Sequence, residues 1–131
     1  MSEHTAHDLF ARFQRNVLAG EPGLDEEICA ENVVVETPFA RRRIEGRANV
    51  VAMTKEGRAA LPVVFEEFRD VVVHETADPE VIVVEYELVA RVPASGKRAS
   101  APFVLVLRAR DGRIVLWREY QDAAAIMAAL A

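Results

Sequence analysis

A single cysteine, Cys29, leaves no partner for an internal disulfide and, with only three histidines in 131 residues, no ligand set for zinc. No apolar run approaches the length of a membrane span. The first ten residues, MSEHTAHDLF, lack the basic and apolar regions of a signal peptide. The expectation is a cytoplasmic protein with no metal and no membrane association. A formal net charge of −5 disfavours nucleic acid as a partner. The only basic run, Arg41-Arg42-Arg43, reads either as solvated surface or as an anion site at a pocket mouth. There is no Gly-rich phosphate loop and no Ser nucleophile elbow, so no covalent nucleophile is evident.

What is present is apolar: hydrophobic residues make up 51% of the chain, enough for one globular domain with a single core, 1–131. Leu9, Phe10, Phe13 and Val17 recur at helical spacing from about Thr5 to Ala19, and Thr5 with Asp8 resembles a capping box. Gly20 and Pro22 end that helix. A second short helix is expected from Leu24 to Ala30, with Cys29 as a small buried hydrophobe, and then a strand from Asn32 to Thr37. A third helix runs from Arg47 to about Leu61, closed by Pro62. From Val63 the period becomes that of strands: a long one to Val73 with a bulge near Glu66-Glu67, then Val81 to Val92. Ala123 to Leu130 is a short terminal helix. Helices early and strands late give an α+β class with a largely antiparallel meander.

The stretch Ala101 to Asp122 organises the rest. Phe103 to Leu107 is a nearly continuous apolar run, as expected of a strand covered on both faces. Asp111-Gly112 is a hairpin signal, because glycine accepts the positive φ of the tight turn. The return strand, Ile114 to Tyr120, places Trp117 and Glu119 on one face. In the strand from Val81 to Val92, Glu85 and Glu87 share a face, and Tyr86 has the opposite parity. Inward glutamates would put Tyr86 on the outer face, in a dimer contact. An inward Tyr86 would leave an apolar pocket without the glutamate pair.

This order and its local wording resemble the nuclear transport factor 2-like superfamily, in its SnoaL-like, ketosteroid isomerase-like branch. The match is carried by Leu18-Ala19-Gly20-Glu21, Val33 to Pro38, Ile44-Glu45-Gly46-Arg47, and Asp111 to Val115 leading into Trp117-Arg118-Glu119-Tyr120. The resemblance implies a curved, mostly antiparallel sheet wrapped around three N-terminal helices into a cone with a hydrophobic pocket. It also implies pairing of outer sheet faces into a homodimer, and no cofactor. The scaffold hosts isomerases, cyclases, hydrolases and pure binding proteins, so fold does not fix chemistry.

Ketosteroid isomerase uses an Asp base and an oxyanion hole of Tyr and protonated Asp. The matching positions here hold Thr37, Phe13 and, within a residue or two, Leu105, none of which can serve. Limonene-type epoxide hydrolases carry an Asp in a Trp-Arg-Asp-Tyr run, similar to Trp117-Arg118-Glu119-Tyr120. Their second acid and Arg fall near Glu87 and Glu85. The resemblance therefore nominates Glu119 and Glu87 as an acid/base pair, with Trp117, Phe13, Thr37, Phe39 and Glu85 binding a small hydrophobic substrate. Isomerisation, cyclisation or hydration would fit. The competing readings are a non-catalytic binding or dimerisation module, with the glutamates on a solvated face paired to Arg91 and Arg118. His74, beside Glu75, reads as an exposed strand-end residue or a proton shuttle.

Overall fold

The structure, a computed structural model, describes residues 4–131; the start of the segment read as lacking a signal peptide lies outside them. Helix α1, Ala6–Leu18, begins with the expected capping box: Asp8 N donates to Thr5 Oγ1 at 3.2 Å and Thr5 N to Asp8 Oδ2 at 3.0 Å. Its buried stripe of Leu9, Phe10, Phe13 and Val17 follows the helical period. The helix stops where Gly20 takes a φ of +80°.

The expected second helix does not form. Leu24 and Ile28 are buried as its pattern required, but the Asp25 carboxylate accepts from the backbone N–H of Glu27 at 2.9 Å and of Ile28 at 3.0 Å. An aspartate that binds the backbone just ahead of it offers a turn in competition with the helix, and a segment this short has little helical cooperativity to resist. Asn16, buried on α1, donates to the same carboxylate at 2.9 Å and to Gly23 O at 3.1 Å. The turn is thereby pinned to α1, and Cys29 opens a strand instead.

That strand, β1, covers Cys29–Thr37; a 3-10 turn, Pro38–Ala40, leads to β2, Arg42–Glu45. Helix α2, Arg47–Ala60, precedes β3, Val64–Glu75, β4, Val81–Val92, β5, Lys97–Arg110, and β6, Arg113–Gln121; α3, Ala123–Leu130, ends the chain. The strands form one curved six-stranded sheet in the order β2-β1-β6-β5-β4-β3, antiparallel except for the β1–β6 pair. The α+β class stands. Only one helix lies at the N-terminus, however, which corrects the expectation of three: α2 follows the first two strands, and α3 is C-terminal.

The expected bulge in β3 lies between Phe65 and Glu67, and a second shift falls between Arg69 and Val72, where Asp70 has a φ of +55°. The turn after β5 has positive φ at both central residues, 52° at Asp111 and 76° at Gly112, the form that matches strand twist. Along β5, Ala101, Leu105, Leu107 and Ala109 are buried while Val104 is 37% exposed. The apolar run is thus covered on one face by this chain, not on both. The concave face carries the core, and α1 packs across it.

Gly23 marks the tightest approach. A Cβ there would sit 2.5 Å from Phe13 Cε1 and 3.1 Å from Val17 Cγ2. Gly23→Ala is expected to cost about 1–3 kcal/mol by overpacking, read as a lower urea midpoint at unchanged m-value.

Candidate functional site

Between the concave sheet face and the helices lies a cavity of about 680 Å³. Its lining includes Phe13, Thr37, Tyr86, Trp117, Glu119 and Gln121. The strand period explains the grouping: in β6, Trp117, Glu119 and Gln121 share a face, and in β4 Ile82, Val84 and Tyr86 are buried at alternate positions, before the period slips and Val89 is buried. Register brings them side by side, since Tyr86 pairs with Phe103 and Phe103 with Gln121 across three strands.

Aromatic packing fixes the walls. Phe13 and Trp117 have ring centroids 4.4 Å apart, and Tyr86 stacks on Phe103 at 5.3 Å with Phe68 at 5.1 Å. Tyr86 has little freedom to turn away. Its burial raises its pKa well above the ordinary phenol value, and the nearby negative charge of Glu119 raises it further. The hydroxyl is held protonated, a donor.

Glu119 is half-buried and lines the cavity. Trp117 Nε1 donates to its Oε1 at 3.4 Å, the Gln121 amide donates to its Oε2, and the Tyr86 hydroxyl approaches the same carboxyl. These neutral donors favour the carboxylate, but desolvation is the larger effect and its pKa is raised. No Lys, Arg or His forms an ion pair with it among the described residues.

The residues singled out from sequence divide between two faces. Glu119, Trp117, Phe13 and Thr37 line the cavity. Glu87 and Glu85 do not join them, because Tyr86 points inward and the alternation sends its neighbours out. Glu87 binds Arg69 at 2.7 Å and Ser100 Oγ at 3.1 Å, with its pKa lowered by those contacts; Glu85 meets His74. The anticipated Glu87–Glu119 pair is therefore split by the sheet, and no outer-face contact of Tyr86 exists. Phe39 is 76% exposed and stacks edge-on against Tyr120 at 5.5 Å, away from the cavity. Arg118 pairs with Glu36 at 3.2 Å and Arg91 with Glu66 at 3.2 Å, so neither holds the glutamates as anticipated.

The arginine run also divides. Arg43 pairs with Glu45 at 2.8 Å, Arg41 takes a left-handed φ of 53°, and Arg42 joins the cavity lining. Gln121 was missed by sequence reasoning, although its parity with Trp117 and Glu119 was readable. No three His, Cys, Asp or Glu side chains converge to hold a metal among the described residues. No described helix is long and apolar enough to cross a membrane.

The raised pKa of Glu119 has a stability consequence. The folded state keeps this proton to higher pH than the unfolded chain, so stability falls as pH rises from about the ordinary value of 4.5 through the folded pKa. Glu119→Gln removes that burden. The variant is expected to melt above the wild type at pH 8, with the gap closing toward pH 4, followed by calorimetry across that range.

A model of the SnoaL-like domain matches residues 7–117. An uncharacterised PhzA/B-like protein of Pseudomonas aeruginosa is 34% identical over 91 residues, 66% of this chain and 62% of that protein, so the chain spans under two thirds of its length. A Bacillus subtilis crystal structure provisionally named an isomerase superposes with a TM-score of 0.81 at 25% identity, covering 95% of this chain and 91% of that one. An LEH-like epoxide hydrolase of M. tuberculosis shares the fold, with a TM-score of 0.69 at 22% identity over 99% of this chain and 89% of its own. With its curved sheet, its cavity and a family match over most of its length, the chain belongs to the SnoaL-like domain family.

Proposed function

We propose that the cavity binds a small hydrophobic molecule and that Glu119 exchanges a proton with it as general base and acid. The observation that carries this reading is a carboxyl with a raised pKa, held by neutral donors alone, facing an apolar cavity. Such a group ionises nearer neutrality than a free carboxylate and so matches proton transfer at physiological pH. A ligand carbonyl beside Tyr86 would receive the phenolic hydrogen bond. Glu119 then takes a proton from the adjacent carbon, and the electron pair moves onto the carbonyl oxygen. Return of the proton to another carbon completes an isomerisation; in a ring closure the enolate carbon instead attacks a second carbonyl carbon of the ligand, and Glu119 returns the proton to that carbonyl's oxygen. Trp117, Phe13 and Thr37 orient the ligand. Glu87, Glu85 and Phe39 have no part in this version, because they face away from the cavity.

A second reading, a binding module without catalysis, is favoured by one observation: the other carboxyls of the lining, Glu21 and Glu56, are exposed and make no hydrogen bond with Glu119. Exchange of the α-hydrogens of a cyclic enone in deuterated water, followed by NMR, separates the two. Glu119→Gln is expected to slow exchange by about 10²–10⁴-fold, Tyr86→Phe to slow it less, and Glu87→Gln to leave it unchanged. Equal exchange by wild type and Glu119→Gln would leave the binding module.

We also propose a homodimer through the outer sheet face. Val104 and Phe39 are exposed there, and Tyr120 is half-buried, an apolar strip that water does not favour. Val104→Lys is expected to turn a dimer into a monomer in sedimentation velocity. A wild type that sediments as a monomer at high micromolar concentration would sink this proposal.

A further inference from the structure

Arg58, in the last turn of α2, lines the main cavity and also a neighbouring groove that includes Pro22, Pro62 and Pro93. Its guanidinium is fixed in place. Nη2 donates to Val63 O at 3.1 Å, Nη1 to Leu61 O at 3.5 Å, and Cζ stands 5.3 Å above the Phe65 ring. Nε is buried with no hydrogen-bond partner, and no carboxylate lies within ion-pair distance among the described residues. Arg47 and Arg108 are also half-buried without an acidic partner among the described residues, and the Nε of Arg108 is likewise unpartnered, but neither lines the cavity; the remaining half-buried arginines are paired. Arg12, 34% exposed at its side chain, pairs with Asp25 and Glu27, and Arg118, at 35%, pairs with Glu36.

A partly desolvated cation without a counter-ion is costly, and an anion arriving from the cavity relieves that cost. The carboxylates that share the lining do not do so: Glu21 and Glu56 are exposed, and Glu119 takes its hydrogen bonds from Trp117, Gln121 and Tyr86, with no ion pair to Arg58. Arg42, which is exposed, adds a second cation to the lining and forms no ion pair among the described residues. We infer that the ligand is a hydrophobic acid whose single carboxylate is anchored by Arg58 while its apolar body fills the cavity. The inference rests on the reading of the cavity as a small-molecule site. It assigns Arg58 as a specificity-determining residue: of its five N–H groups three remain without a partner, the buried Nε–H and one on each terminal nitrogen, and the terminal two would receive a carboxylate.

Two dyes of nearly equal shape test it in fluorescence titrations: anilinonaphthalene sulfonate, an anion, and phenylnaphthylamine, its neutral counterpart. Arg58→Met keeps the stem's volume and removes the charge. The anionic dye is expected to bind this variant about tenfold more weakly, the neutral dye to bind it as it binds wild type, and Arg58→Lys to fall between for the anion. Retained neutral-dye binding shows that the cavity has stayed intact. Equal binding of the anionic dye by wild type and Arg58→Met overturns the inference alone. Failure of the neutral dye to bind wild type removes the cavity reading and this inference with it.

Discussion

Side-chain parity across β4, β5 and β6 is the constraint on which the site depends. The period of a strand is two, so a one-residue slip would exchange every inward residue for an outward one. The two-residue turn at Asp111 and Gly112 sets the pairing of β5 with β6, and a shift between Arg108 and Ala109 is absorbed close to that turn. Beyond it the ladder is regular, with Leu107 opposite Trp117, Leu105 opposite Glu119 and Phe103 opposite Gln121. The same ladder continues into β4 and delivers Tyr86 to the cavity. A slip in this hairpin would drive Arg118 and Tyr120 inward and send Glu119 into solvent.

The sheet separates two kinds of polar chemistry. Outside, carboxylates meet cations, Glu87 with Arg69, Glu66 with Arg91 and Arg98, Glu36 with Arg118 and Arg43, and Glu85 meets the His74 imidazole. Exposed pairs of this kind are worth little individually; their role is to make a strand face of charged residues compatible with water and with neighbours. Inside, no such pair encloses Glu119, and the donors to it are an indole, an amide and a phenol. The Arg69 hydrogen bond lowers the pKa of Glu87, whereas desolvation raises that of Glu119 and its neutral donors offset only part of the rise, although both are glutamates on one sheet.

Much of this was legible because local signals agreed with one another. The capping box and apolar stripe of α1, the Asp-Gly turn, the Glu66-Glu67 bulge and the shared face of Trp117 and Glu119 all follow from rules that act within a few residues. The phase of β4 was not legible. Val81, Ile82, Val83 and Val84 are apolar on both parities, so no alternation says whether Tyr86 or its glutamate neighbours face inward. Strand β2 hid behind its composition, since Arg42 and Arg43 read as loop when their partners on β1 are unknown. The segment from Leu24 to Ala30 carried helical spacing, yet Asp25 captured the backbone and Asn16, from another element, held it there. Those are tertiary facts, invisible to a local pattern.

The electrostatic state of Glu119 supports, on physical grounds, the proposal that it is a functional residue and not a structural one. A carboxylate kept for stability gains from a cation beside it, as Asp25 gains from Arg12 and Glu36 from Arg118. Glu119 has Arg118 as its chain neighbour, but strand alternation places that guanidinium on the opposite face, against Glu36. Burial without a counter-charge costs stability over the pH range in which the group is ionised. A hydrophobic residue at the same position would have spared that cost and filled the wall of the cavity. The neutral donors around Glu119 offset only part of the desolvation. They leave a group that is poised to hold a proton or release it, which a core position has no need of and a proton-transfer site requires.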